Sequence, residues 1–141
     1  MANTIYFHTE DTNYIAKNKK AIKNWVNQTI LKENHTCGEI NIILCSDNHL
    51  HQMNVEYLAH DTLTDIITFD YTENKIVSGD LFISIDRVKD NATRNNTTIS
   101  NELNRVIIHG VLHLLGYKDK TAAHQAEMTL KEDFYLSLRQ F

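Results

Sequence analysis

The chain has 141 residues, 42% hydrophobic and 23% charged, an ordinary globular balance with enough apolar residues to bury a core. Its net charge of -4 is not that of a bulk nucleic-acid binder, so any contact with nucleic acid has to use a local patch. No run of about 18 apolar residues is present to span a membrane, residues 1–10 lack the basic start and apolar stretch of a signal peptide, and Cys37 and Cys45 form no CxxC pair. The expectation is one cytoplasmic domain over residues 1–141 with reduced thiols.

Proline is absent, so breaks come from Gly, Asn, Asp and Thr. Residues 4–7 read as a short strand. Residues 18–32 read as an amphipathic helix with Ile22, Trp25, Val26 and Ile30 on its inner face. Residues 39–46 become fully apolar, as a strand with a well-buried face does. Asp47 is placed to cap a helix running towards His60, with Leu50, Met53, Val55 and Tyr57 as its apolar positions. Residues 65–71 and 79–85 form a hairpin around a turn at 72–75, and residues 86–95 a short helix. Ser100 is the expected cap of a central helix that is apolar nearly all round except for a stripe of Glu102, Arg105, His109 and His113. A last helix starts at Thr121 and offers Met128, Leu130, Phe134, Leu136 and Leu138. The order β-α-β-α-β-β-α-α-α predicts an α+β fold: a small mixed four-stranded sheet covered by helices.

The central helix ends in His109-Gly110-Val111-Leu112-His113-Leu114-Leu115-Gly116-Tyr117-Lys118-Asp119. Histidines four apart lie one turn above each other on one helix face, the arrangement in which two imidazoles reach a single metal ion. Gly116 permits a left-handed turn, which brings Asp119 back as a third ligand. Three protein ligands leave a position for water, the catalytic pattern. Two imidazoles and a carboxylate favour zinc, with nickel, cobalt or copper also compatible. Zincin proteases carry a glutamate base after the first histidine; here that residue is Gly110, which argues against peptide hydrolysis. A phosphodiester suits the remaining chemistry, since the ion and a nearby cation stabilise phosphoryl charge. Arg105, one turn before His109, is the candidate catalytic cation; its alternative role is a partner for Glu102. Arg87, Lys89 and Arg94 lie nearer in sequence to the motif than Lys17, Lys19, Lys20 and Lys23, which also read as a solvated helix face.

The histidine run resembles that of the YbeY family of metal-dependent endoribonucleases, whose motif reads H-G-x-L-H-L-x-G-Y-D-H. Three upstream segments agree in order: Met53-Asn54-Val55-Glu56-Tyr57-Leu58, Thr64-Asp65-Ile66-Ile67-Thr68-Phe69 and Gly79-Asp80-Leu81. The resemblance implies a single-strand-specific endoribonuclease of small-subunit (16S) ribosomal RNA maturation and ribosome quality control. It implies a ribosomal RNA precursor as substrate and a ribosomal protein or assembly GTPase as partner, with no role for DNA or membrane. The chain departs from the family at Asp119, where histidine is usual, and at Leu58, where an arginine is common. His124 is the fallback third ligand, and His60 or Arg105 could replace the missing arginine. A groove past the metal is expected among Arg87, Lys89, Arg94, Arg105 and Lys118. Thr64, Asp65, Thr68 and Asp80 read equally as turn and strand-start residues or as cleft residues. A non-catalytic, metal-containing assembly factor and a metal hydrolase of another substrate are the competing readings.

Overall fold

The computed structural model describes residues 4–58 and 64–141. His60 and the side chain of Leu58 lie outside what is described, so their proposed RNA contacts stay open. The elements are β1 (Ile5–Glu10), α1 (Lys19–Lys32), β2 (Thr36–Cys45), α2 (Asp47–Leu58), β3 (Ile66–Asp70), β4 (Ile76–Ser84), α3 (Ile85–Arg94), α4 (Ile99–Leu114) and α5 (Ala122–Ser137). This is the expected α+β order. The sheet runs β1-β2-β4-β3, with β1, β2 and β4 parallel and β3 antiparallel to β4.

Alternation along the strands sorts the apolar residues onto two faces. Ile40, Ile42 and Leu44 of β2 and Leu81 and Ile83 of β4 share one core with Ile22, Val26 and Ile30 of α1, Val88 of α3 and Leu103, Ile107 and Val111 of α4. Each such side chain contributes about 1.5–3 kcal/mol of hydrophobic stabilisation. The opposite face packs Cys45, Ile67 and Phe82 against Leu50 and Met53 of α2. The central helix α4 thus lies between the sheet and α5, which explains why it is apolar nearly all round.

Gly110 sets how closely α4 meets the sheet. A Cβ there would stand 2.8 Å from Ile66 Cδ1 and 3.0 Å from Leu81 Cδ2. A glutamate at this position would point into the core, so the protease base is excluded by packing as well as by sequence.

Three local expectations are corrected. Thr98, not Ser100, caps α4: its hydroxyl accepts from the Asn101 N–H at 3.0 Å. The Ser46 hydroxyl accepts from the His49 N–H at 3.1 Å at the start of α2, while the Asp47 carboxylate accepts from the Ser84 hydroxyl and pairs with Arg87. On α5, Leu130, Phe134 and Leu138 are exposed, and the buried face is Met128, Glu132, Tyr135 and Leu136. Charge and polarity misled there, because Glu132 and Tyr135 are buried for the hydrogen bonds they make.

Candidate metal centre

Helix α4 ends in a Schellman turn. The Gly116 N–H donates to the His113 carbonyl and the Tyr117 N–H to the Leu112 carbonyl, both at 3.0 Å. Gly116 has φ +103°, as the spacing predicted, and no atom beyond its own chain neighbours lies within 4 Å of where its Cβ would be. The glycine is needed for its backbone conformation rather than for space. The turn sends the chain back along the helix and sets Asp119 beside the two histidines.

His109 Nε2 and His113 Nε2 stand 3.0 Å apart, and each is 3.3 Å from Asp119 Oδ2. Donors bound tetrahedrally to one divalent ion at about 2.0–2.1 Å stand about 3.3 Å from one another, so the triangle has the size such an ion requires. The side chains retain 24%, 28% and 38% of their exposure, enough for a ligand to reach them from solvent.

The outer hydrogen bonds decide where the ring protons sit. His109 Nδ1 lies 2.6 Å from Glu132 Oε2, and His113 Nδ1 lies 3.1 Å from the Tyr117 carbonyl. A carboxylate and a carbonyl accept only, so each Nδ1 carries the proton and donates. In the neutral rings both Nε2 lone pairs then point inward, at each other and at a carboxylate oxygen. That is an unfavourable grouping by itself and a favourable one around a cation. The residues present therefore fit a metal ion, and among the described residues His109, His113 and Asp119 form a group that could hold one.

Carboxylates dominate the field around His109. Burial pushes its imidazole pKa down, but the Glu132 hydrogen bond and the charges of Glu132, Asp119 and Asp65 outweigh it and leave the pKa raised. Burial pushes the Asp65 carboxyl up, against the lowering effect of His109. Asp65 is close enough for its charge to be felt at His109, and its carbonyl also accepts from the Ser84 N–H at the start of β3. Thr68 pairs with Leu81 and shares the face that α4 covers, whereas Asp80 lies on the other face, accepting from Asn41 and Tyr71.

Arg105 is the main correction. It does not pair with Glu102; its guanidinium donates to Glu132 Oε1 at 2.8 Å and Asp133 Oδ1 at 2.6 Å. Glu102 is buried, with its pKa raised by burial against a hydrogen bond from Asn95. Arg87 pairs with Asp47 and Asp90, Arg94 pairs with Asp90, and the Lys89 ammonium lies 5.9 Å from the Tyr14 ring centroid. Lys118 is exposed on the turn that carries Asp119. His124 donates its N–H to the Thr121 cap in the first turn of α5 and is not part of the three-residue group.

Glu132 and Tyr117 escaped the residue-by-residue reading. An acidic residue at a buried-face position of a C-terminal amphipathic helix was the available signal for Glu132.

The match to the family model described as Endoribonuclease YbeY covers residues 4–139. A protein of Cytophaga hutchinsonii named Endoribonuclease YbeY is 52% identical over 139 residues, covering 98% of this chain and 97% of that one. One of the same name from Amoebophilus asiaticus is 49% identical, covering 94% and 90%. A solution structure of a Thermotoga maritima protein superposes with a TM-score of 0.67 at 29% identity, covering 94% of this chain and 87% of that one. With the fold, the motif and these matches in agreement along nearly the whole length, the chain belongs to the YbeY family.

Proposed function

We propose that this protein is a metal-dependent, single-strand-specific endoribonuclease that matures small-subunit ribosomal RNA in the cytoplasm, with His109, His113 and Asp119 holding one zinc ion. The observation that carries the proposal is the inward orientation of both Nε2 atoms, enforced by Glu132 and the Tyr117 carbonyl. Two imidazole nitrogens and one carboxylate oxygen suit zinc among the divalent metals. When bound, the ion supplies Lewis-acid stabilisation of charge on the phosphodiester.

The chain's own groups do the remaining work. Glu132 keeps His109 in the tautomer that presents Nε2, and Arg105 with its two acceptors keeps Glu132 in place. We therefore assign Arg105 a positioning role, since a phosphate would have to displace two carboxylates to reach it. Lys118, exposed beside Asp119, is the cation we assign to the RNA backbone near the ion. Arg87, Lys89 and Arg94 would serve only RNA that extends towards α3. Asp65 is the carboxyl we assign to proton transfer at the site, in place of the base that Gly110 cannot supply.

The test is cleavage of precursor small-subunit RNA by the zinc-loaded protein. His113→Ala is expected to lose cleavage and retain most of its RNA affinity, because binding comes from backbone contacts and rate from the ion. Full-rate cleavage by His113→Ala with chelator present would overturn the mechanism. Zinc-loaded wild type that binds the RNA but never cleaves it would leave the non-catalytic assembly factor.

A further inference from the structure

A half-buried carboxylate outside the metal-site triad carries a second line of support to it. Glu33 ends α1, and its side chain is only 13% exposed. Its Oε1 accepts from the Tyr117 hydroxyl at 2.7 Å, and its Oε2 accepts from the Tyr135 hydroxyl and from Lys131 Nζ at 3.2 Å. Burial alone would raise the Glu33 pKa, but the three hydrogen bonds and the Lys131 charge hold it below the ordinary value. It is thus a half-buried, ionised acceptor held by three donors that come from two other parts of the chain.

What depends on it is Tyr117. That residue's N–H closes the end of α4, its carbonyl accepts a hydrogen bond from His113 Nδ1, and its phenol donates to Glu33. Tyr117 also lies between Gly116 and Asp119, so its position sets both the His113 ring and the start of the return to Asp119. Glu33 tethers the Tyr117 hydroxyl from 84 residues earlier in the chain, and the Lys131 ammonium of α5 lies 5.5 Å from the Tyr117 ring centroid. Lys131 and Tyr135, which hold Glu33, flank Glu132 on α5, and Glu132 holds His109 directly.

We infer that Glu33 is a positioning residue for the metal centre, acting through Tyr117 on His113 and Asp119. Helix α5 then braces both imidazoles: His109 by direct contact with Glu132, and His113 by the relay Lys131–Glu33–Tyr117. The inference rests on the metal-centre reading above.

The experiment titrates the purified protein with Zn2+ against a chromophoric chelator and records the visible d–d spectrum of the Co2+-loaded protein. Tyr117→Phe removes one hydroxyl, leaves Glu33 two partners, and keeps the Tyr117 carbonyl. It is expected to weaken Zn2+ binding by about tenfold, the lower end of the range for groups that orient metal ligands, and to alter the Co2+ bands. Glu33→Ala should do the same, and the double variant no more than either single, because both break one path. Tyr135→Phe costs Glu33 a hydrogen bond but leaves the Tyr117 tether, so it should lower thermal stability while keeping wild-type metal affinity. His113→Ala is the reference for loss of the site. If His113→Ala loses tight binding but Tyr117→Phe and Glu33→Ala match wild type in affinity and spectrum, the relay is wrong and the metal centre stands. Equal affinity losses in Tyr135→Phe and Tyr117→Phe would also overturn the relay in favour of general stability. If His113→Ala binds Zn2+ as wild type does, both the centre and the relay fall.

Discussion

Glu132 and His109, 23 residues apart in the chain, meet across the α4–α5 contact, with Nδ1 2.6 Å from Oε2. Arg105 occupies the other carboxylate oxygen at 2.8 Å, so the acceptor is fixed from both sides. A metal-ligating imidazole needs such a partner to define its tautomer and raise its basicity. Glu132→Gln keeps the size of the side chain but removes the charge. It is expected to weaken zinc binding by about 10–100-fold, read by chelator competition. Wild-type affinity in this variant would show that the pair serves packing alone.

The two glycines of the motif are predicted to fail for different reasons. Gly116→Ala forces a side chain into φ +103° with open space around it, so its cost is conformational, about 1–2 kcal/mol. Gly110→Ala drives a methyl into Ile66 and Leu81, an overpacking cost of about 1–3 kcal/mol. Ile66→Val removes the nearest clashing atom and should restore part of the loss in Gly110→Ala but none of that in Gly116→Ala. Urea midpoints of the four variants check this, and equal rescue of both would contradict the distinction.

Local chemistry made the core of the site legible, and distance in sequence hid its supports. His109, His113, Gly116 and Asp119 fall within eleven residues, so helix periodicity and one glycine turn suffice to bring them together. Glu132 and Glu33 reach the site only through the packing of α5 and α1, 23 and 84 residues away, and no local pattern encodes that. The same reason explains Arg105. On an isolated helix Glu102 is its natural partner, but α5 supplies two carboxylates at closer range. Element order and helix spans followed from hydrophobic period, whereas caps slipped by one or two residues, as at Thr98 and Ser46.

Glu33 also links stability to pH. Its folded pKa lies below the ordinary 4.5, so the unfolded chain takes up the proton first as the solution is acidified. Its contribution is fully present above the ordinary value and is lost as the pH falls through the lower, folded value. In chelator-treated samples, the difference in melting temperature between wild type and Glu33→Gln should therefore be constant near neutrality and shrink below about pH 4.5. A difference that grows on acidification would reverse the assigned sign.

Asp119 offers the sharpest test of the ligand set, because its carboxylate is the only anionic member. Oδ2 stands 3.3 Å from both imidazole nitrogens, so it reaches any ion that they share. Asp119→Asn keeps the shape and removes the charge that offsets the dication. It should weaken zinc binding by more than the roughly 10–100-fold expected of groups that merely orient ligands. Asp119→His brings in the residue that the family resemblance leads one to expect at this position, a neutral donor with a longer reach. It should keep a three-ligand site and at least part of the cleavage activity, since a third protein donor is still present on the turn after Gly116. His124 makes the control: it belongs to the first turn of α5, and His124→Ala should leave zinc affinity and cleavage as they are in wild type. Loss of metal in His124→Ala together with wild-type affinity in Asp119→Asn would move the third ligand from the turn to α5.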